Sequence, residues 1–301
     1  MNTATERRSI PDQAKQFIAS PVQRIELDAF VNVCLRHTIE ALSLERFPAA
    51  GNPTNDEFAK RIASYEAAIR DIQTIVVLLA RWGDRDQLLQ IEKILCRLVE
   101  VDKGGAGTRL WLRLNWYPIL ALMYAGGIAA LSARRYEALH VLLATLVRAN
   151  QAIAMSEERP VTVVGVRGIS DIEDDFKRLP GHEKDRYPRS EYLHTILRPV
   201  LDDALFLGGS YETLFDRFEV FLALAFADFT NEKSRDHFWG PPGRFTWKHQ
   251  LQESPVIRLI EEAQRSGSSW PPVAAGLFGG RSERFLEVAN GYKAILDGGR
   301  Y

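Results

Sequence analysis

The sequence predicts an all-α protein built of antiparallel helix pairs, arranged as a helical bundle or a short solenoid-like array with at most one minor strand or hairpin. Two observations predict this class. Apolar residues recur at intervals of three and four along most of the chain, and clusters of Gly, Pro and Asn separate these segments. Only residues 161–166 (VTVVGV) look like a strand, and an isolated strand cannot form a sheet.

The first three predicted helices lie over about residues 21–45, 55–82 and 84–99. In the second of them, apolar residues keep the helical spacing almost throughout. Thr54 or Asn55 can cap its start, because a short polar side chain accepts hydrogen bonds from the free amides of a first helical turn. Gly83 is expected to end this helix, and Asp84 to begin the next.

A fourth helix is predicted over about residues 110–133 and a fifth over 135–149. Residues 116–133 are uncharged, which is at the lower limit for a membrane span. Pro118 and the pair Gly126 and Gly127 interrupt this short run and favour a helix buried in a soluble core. Each glycine costs a helix about 1 kcal/mol relative to alanine, so we expect a neighbouring helix to approach closely there.

The segment 156–190 mixes acidic and basic residues and shows little helical period, so we expect a polar connector. It would separate an N-terminal helical half (1–155) from a C-terminal helical half (191–301), with one continuous domain as the alternative. Helices are predicted in the second half over about residues 191–207, 211–229, 255–264 and 283–296. Loops are expected at 231–254 and 266–280, which are rich in turn residues.

The composition excludes several classes of protein. An apolar content of 46% and a net charge of −1 exclude a disordered chain and a polybasic tail that binds nucleic acid by bulk charge. The two cysteines, Cys34 and Cys96, lie in apolar helical patterns and predict no disulfide framework. The first ten residues lack the apolar core of a secretory signal. We therefore expect a cytoplasmic protein without a membrane anchor.

Known catalytic motifs are missing from the sequence, which contains no Gly-x-Ser-x-Gly elbow, Walker loop, His-Glu-x-x-His or dinucleotide-binding fingerprint. This favours a protein that is not an enzyme and that needs no cofactor or metal. A hydrolase or nuclease remains an alternative, with a site assembled from dispersed residues: Asp174, Asp175, His182, Glu183, His194 and Asp202. The competing interpretations are that Asp202 pairs with Arg198 four residues earlier, and that His37 and His140 are packed or half-buried in helices.

The most distinctive segment, 233–249, combines basic and aromatic residues. Aromatic faces beside cations can stack on bases while the cations contact phosphate. The segment therefore predicts a nucleotide or nucleic-acid site with six candidate residues: Lys233, Arg235, Trp239, Arg244, Trp247 and Lys248. Phe245 and Trp247 alternate with Thr246 and Lys248, as in an extended strand. The alternative is that the aromatic rings pack against the helical core and hold the loop in place.

Residues 117–143 (YPILALMYAGGIAALSARRYEALHVLL) contain Tyr-Pro, an apolar run with Gly-Gly, and Arg-Tyr-Glu-x-Leu. In this order they resemble a helical module found beside other domains in bacterial conflict and antiviral-defence proteins. The resemblance covers 27 residues and implies a scaffold or sensor coupled to a separate effector. The leading hypothesis is therefore a non-enzymatic interaction or sensing module that binds a protein partner or a second copy of itself.

Overall fold

The computed structural model describes residues 9–101, 103, 106–148, 161–166, 173–234, 237–251 and 253–299, and it confirms the all-α fold. The α-helices are α1 (Ile10–Ala19), α2 (Arg24–Ala41), α3 (Asn55–Trp82), α4 (Arg85–Glu100), α5 (Arg109–Leu114), α6 (Tyr117–Ser132), α7 (Tyr136–Ala144), α8 (Pro188–Leu205), α9 (Tyr211–Lys233), α10 (Phe245–Gln250), α11 (Pro255–Ser266), α12 (Pro271–Ala274) and α13 (Ser282–Asp297). One small antiparallel sheet pairs β1 (Leu146–Val147) with β2 (Val161–Thr162), with Leu146 opposite Thr162.

Local capping explains why α3 and α4 begin where the sequence predicts. The Thr54 hydroxyl accepts a hydrogen bond from the amide of Glu57, 3.2 Å away. Asp84 and Gln87 form a capping box, in which each side chain accepts from the other residue's amide at 2.9 Å. These bonds satisfy donors that a helix start would otherwise leave free. Helix α1 was not predicted, although Ser9 caps it and a proline lies in its first turn.

Helix α6 lies at the centre of the hydrophobic core, as predicted. A Cβ added at Gly126 would lie 2.8 Å from the Val76 side chain on α3, and one added at Gly127 would overlap the Phe218 ring on α9. The two glycines therefore permit a close approach of neighbouring helices. Residues 109–132 are long and apolar enough to cross a membrane, but their apolar 18-residue window is entirely buried inside the protein, as expected of a core helix.

Several predicted boundaries were wrong. The helix predicted over 110–133 is broken at Asn115, whose side-chain oxygen accepts from the Tyr65 hydroxyl at 2.6 Å while its amide group donates to a backbone carbonyl. The predicted fifth helix ends at Ala144, where the chain enters β1; residue 149 lies outside the described residues. The strand expected over 161–166 comprises only β2 and continues as a 3-10 turn.

The extended conformation expected around Phe245 was also wrong, because these residues form α10. Phe245 and Thr246 are adjacent in sequence and both buried, whereas a half-exposed strand would bury alternate residues. The amide of Thr246 donates to the carbonyl of Gly243 at 3.0 Å, which starts the helical turn.

Helices from the two predicted halves contact each other in one hydrophobic core. Tyr124 on α6 packs edge-on against Phe218 on α9, with 4.9 Å between ring centroids. Within the predicted connector, Phe176 is buried against Phe58 and Tyr117. The division of the chain at 155 and 191 stays a prediction.

Candidate functional site

The C-terminal ends of α1, α3 and α8 enclose an apolar groove of about 680 Å³. This volume is typical of a binding cleft. The groove is lined by Lys15, Ile18, Ala19, Leu78, Arg81, Trp82, Ala204, Leu205 and Phe206. Two of these side chains are cationic and the others are apolar, so the groove combines a hydrophobic surface with positive charge.

Phe206 is the most unusual residue of the groove. It follows the last residue of α8 in the left-handed conformation, with φ 54° and ψ 48°, and 88% of it is exposed. This position favours glycine, because Cβ crowds the following carbonyl in a left-handed backbone. Its amide nevertheless caps the helix by donating to the Asp202 carbonyl at 2.9 Å. The fold therefore needs the backbone of Phe206 and gains little from its ring.

Trp82, the last residue of α3, exposes 48% of its surface in the groove. The amide of Gly83 donates to the Leu79 carbonyl at 2.8 Å and the chain then turns away from the helix axis, which leaves the indole at the helix end. The neighbouring Arg81 guanidinium lies 5.2 Å from the centroid of the Trp82 ring. The groove thus presents an aromatic face with a cation next to it.

Further exposed apolar side chains lie at the start of α2. Val22 and Ile25 are both largely exposed. Between them Arg24 pairs with Asp84 and Asp86 beyond the end of α3, so these apolar residues are held close to the helix end that carries Trp82. Val22 and Ile25 do not themselves line the groove.

The sequence-predicted basic aromatic residues are distributed over two places. Lys233 is exposed at the end of α9, and its Nζ lies 4.5 Å from the centroid of the Phe229 ring. Trp239 packs edge-on against Phe226, with 5.6 Å between centroids, which agrees with the alternative that the rings fix this loop to the helical core. Arg235 lies outside the described residues.

The remaining cations of this segment are held by carboxylates. Arg244 pairs with Glu191 at 3.3 Å, and Lys248 pairs with Glu212 at 2.6 Å. Both also pair with Asp216, which is almost completely buried. Burial alone would lower the pKa of Lys248, but the hydrogen bonds and charges of Asp216 and Glu212 outweigh it and raise that pKa. These cations are therefore neutralised within the protein.

Trp247 is the more exposed of the two candidate tryptophans, with 43% of its surface accessible. It lines a cleft of about 340 Å³ between α9 and α11. Lys248 Nζ lies 5.2 Å from the indole centroid. The cleft also contains Glu253 and Arg258, so charges of both signs surround the ring. This mixture lacks the uniform positive charge that a phosphate-binding groove requires. The assignment of these residues to a nucleic-acid site stays a prediction.

The residues of the alternative hydrolytic site do not come together. Four of them pair with other side chains: Asp174 with Lys177, Asp175 with the distant Arg113, His182 with Asp185, and Asp202 with Arg198, the last as predicted. Glu183 is exposed in a turn. Within the described ranges, no three His, Cys, Asp or Glu side chains are grouped as a metal site would need. Asp171, three residues before Asp174, lies outside those ranges.

His194 packs between the rings of Tyr211 and Phe215, at centroid distances of 5.1 Å. Burial lowers its pKa to about 4, assisted by the positive charge of Arg244. Among the residues described by the structure, no carboxylate pairs with its ring. His140 is half-buried, as predicted, whereas the same prediction was wrong for His37, which is exposed on α2.

A buried carboxylate that the sequence analysis did not single out lies in the core. Glu219 Oε1 accepts hydrogen bonds from the hydroxyls of Tyr124, at 2.9 Å, and Ser190, at 2.7 Å. Burial raises the pKa of Glu219 to about 8, and the nearby charge of Asp216 acts in the same direction. The only sequence signal was an acidic residue in the middle of an apolar helix. Glu219 is buried and does not line the clefts described above.

Comparison of the chain with protein-family models, curated proteins and solved structures finds no match. The function is therefore argued from the geometry of the chain itself.

Proposed function

We propose that the protein is a non-enzymatic interaction or sensing module of the cytoplasm that binds a partner protein through the groove between α1, α3 and α8. The observation that carries this proposal is Phe206, a large aromatic side chain that is 88% exposed in a strained backbone position at the groove. Strained residues tend to persist where function requires them. The exposed Trp82 beside it supplies a second anchor of the kind that dominates protein interfaces.

The shape of the groove supports a peptide segment or helix as the occupant. A helix laid into an apolar groove inserts side chains spaced by three and four residues, and aromatic rings on the groove form their contacts. The resemblance of residues 117–143 to modules of bacterial defence proteins suggests the effector of such a system as the first partner to examine. A second copy of this chain is the alternative partner.

Site-specific photo-crosslinking tests the proposal. A photoreactive phenylalanine analogue is placed at position 206 of the full chain, and in a matched control at position 251, because Leu251 is also exposed but does not line the groove. We expect irradiation of cells to join one protein species to position 206 and not to position 251. Trp82→Ala in the same chain should reduce that adduct at least fivefold. Identical adducts from both positions, or none from position 206, would refute the proposal.

A further inference from the structure

We infer that the groove binds an amphipathic helix of another protein that carries a carboxylate directed at Arg81 and Lys15. The inference rests on the proposed function and specifies the chemistry of the partner. It comes from the charge and hydrogen bonding of the two cations in the groove.

Neither cation of the groove forms an ion pair with the residues that the structure describes. Lys15 is exposed and forms no ion pair with the described residues. Arg81 Nη1 donates to the neutral Ser132 hydroxyl at 2.6 Å, and no carboxylate among the residues that the structure describes pairs with Arg81. By contrast, the nearby Arg24 is paired with both Asp84 and Asp86. The groove therefore carries positive charge that an acidic partner would complement.

The guanidinium of Arg81 also has an unused donor. Its Nε is buried and has no hydrogen-bond partner, which is costly in a folded protein. Because this Nε lies below the surface, a molecule bound in the groove can reach only the outer part of the guanidinium. A carboxylate is the acceptor that a guanidinium binds most strongly, because it can accept two parallel hydrogen bonds. A glutamate or aspartate of the partner would thus pair with the charge of Arg81.

The rest of the lining favours protein over nucleic acid. Aliphatic side chains of Ile18, Leu78 and Leu205 form the walls between the aromatic residues. They offer no hydrogen-bonding group to the polar edges of a nucleobase, whereas they match leucine or phenylalanine side chains of an amphipathic helix. Two cations can also contact only a few phosphates of a nucleic-acid backbone. An oligonucleotide is therefore the alternative for the experiment to detect.

The inference is tested by selecting binders from a display library of random 16-residue peptides on the full-length protein. Peptides that also bind Phe206→Gly are removed, so that the groove-dependent ones remain. This variant suits the purpose because glycine is favoured at that backbone position, so the fold should tolerate it. We expect the selected peptides to combine apolar residues at helical spacing with an excess of Asp and Glu.

Affinities of the selected peptides for charge variants provide the decisive measurement. We expect Arg81→Gln to weaken binding at least tenfold and Lys15→Gln to weaken it about threefold, with both losses smaller at high salt. Arg85→Gln is the matched control, because Arg85 is exposed nearby but does not line the groove. Lys15 is exposed on α1, so its variant tests the charge even if Arg81→Gln unfolds.

The outcomes separate the two proposals. Acidic peptides whose affinity depends on Arg81 and Lys15 support the inference. Groove-dependent peptides that are neutral or basic, or that bind both glutamine variants as tightly as the wild type, overturn the inference while the proposed function stands. If no peptide depends on Phe206, or if a fluorescent dT12 oligonucleotide binds the wild type and not Phe206→Gly, both proposals are wrong.

Discussion

Replacing Glu219 by glutamine should remove a large part of the pH dependence of stability. The carboxyl group is completely buried, accepts hydrogen bonds from the Tyr124 and Ser190 hydroxyls, and has a pKa of about 8 in the folded protein against an ordinary value of 4.5. Between these values the folded protein keeps the proton that the unfolded chain has lost. The contribution of Glu219 is therefore fully present below pH 4.5 and is lost as the pH rises to about 8.

The magnitude follows from this difference in pKa. Each pH unit between the two values costs the folded state about 1.4 kcal/mol, or about 5 kcal/mol over the whole window. Glu219→Gln has no titrating proton at this position, so its free energy of unfolding lacks this dependence on pH. The amide places two N–H donors where the protonated carboxyl has one O–H and where Glu219 Oε2 has no partner, so the variant can be less stable than the wild type at pH 5 by about 1–3 kcal/mol. The diagnostic quantity is therefore the slope with pH and not the stability at one pH.

Urea unfolding at half-unit intervals from pH 5 to 8 measures this slope. We expect the free energy of unfolding of Glu219→Gln to gain about 1.4 kcal/mol per pH unit relative to the wild type. Glu261→Gln is the control, because Glu261 is exposed on α11, and its curve should run parallel to that of the wild type. Parallel curves for Glu219→Gln as well would show that the buried carboxyl is not protonated in the folded state, and the reasoning would be wrong.

Three further predictions concern packing, ion pairing and titration. Gly127→Ala should lower the free energy of unfolding by about 1–2 kcal/mol, because its Cβ overlaps a facing aromatic ring, while Gly209→Ala, in open space, should change it by less than about 0.5 kcal/mol. Lys248→Met should lower the free energy of unfolding, measured in urea, by about 3 kcal/mol, because it removes a partner of the buried Asp216. Adding Asp216→Asn to this variant should recover part of that loss, because the buried charge is then gone. The His194 ring resonances should not shift between pH 8 and 5.5 in NMR titrations, since its pKa is about 4; a midpoint near 6.5 would contradict the packing described.

Elements specified by local contacts could be predicted from the sequence. Helices α3 and α4 begin at caps formed by residues three positions apart, and their core faces follow the helical period. Helix α10 could not be predicted in this way. Its aromatic residues alternate with polar ones as in a strand, and the burial of Thr246 depends on distant parts of the chain. Helix α1 was missed although its signals are local, since Ser9 caps it and Ile10, Ala14, Phe17 and Ile18 follow the helical period.

The groove could not be predicted, because three helix ends that are far apart in sequence form it. In the sequence, Trp82 and Phe206 follow apolar helical runs and read as core residues. Their exposure depends on where each helix ends relative to the others. The same limit applies to the basic aromatic segment, since the carboxylates that neutralise Arg244 and Lys248 come from α8 and α9. A positive patch in sequence thus becomes a neutral ion-pair cluster in the fold.

Phe206 shows how a conflict between sequence and local structure can indicate function. Its left-handed backbone costs a non-glycine residue about 1–2 kcal/mol. Burial does not offset this cost, because only about an eighth of its surface is covered, worth about 0.6 kcal/mol for an aromatic ring. Stability alone would therefore favour glycine or leave the choice neutral. A phenylalanine that folding does not require, at the edge of an apolar groove whose two cations form no ion pair with the described residues, is the feature that the proposed partner would cover.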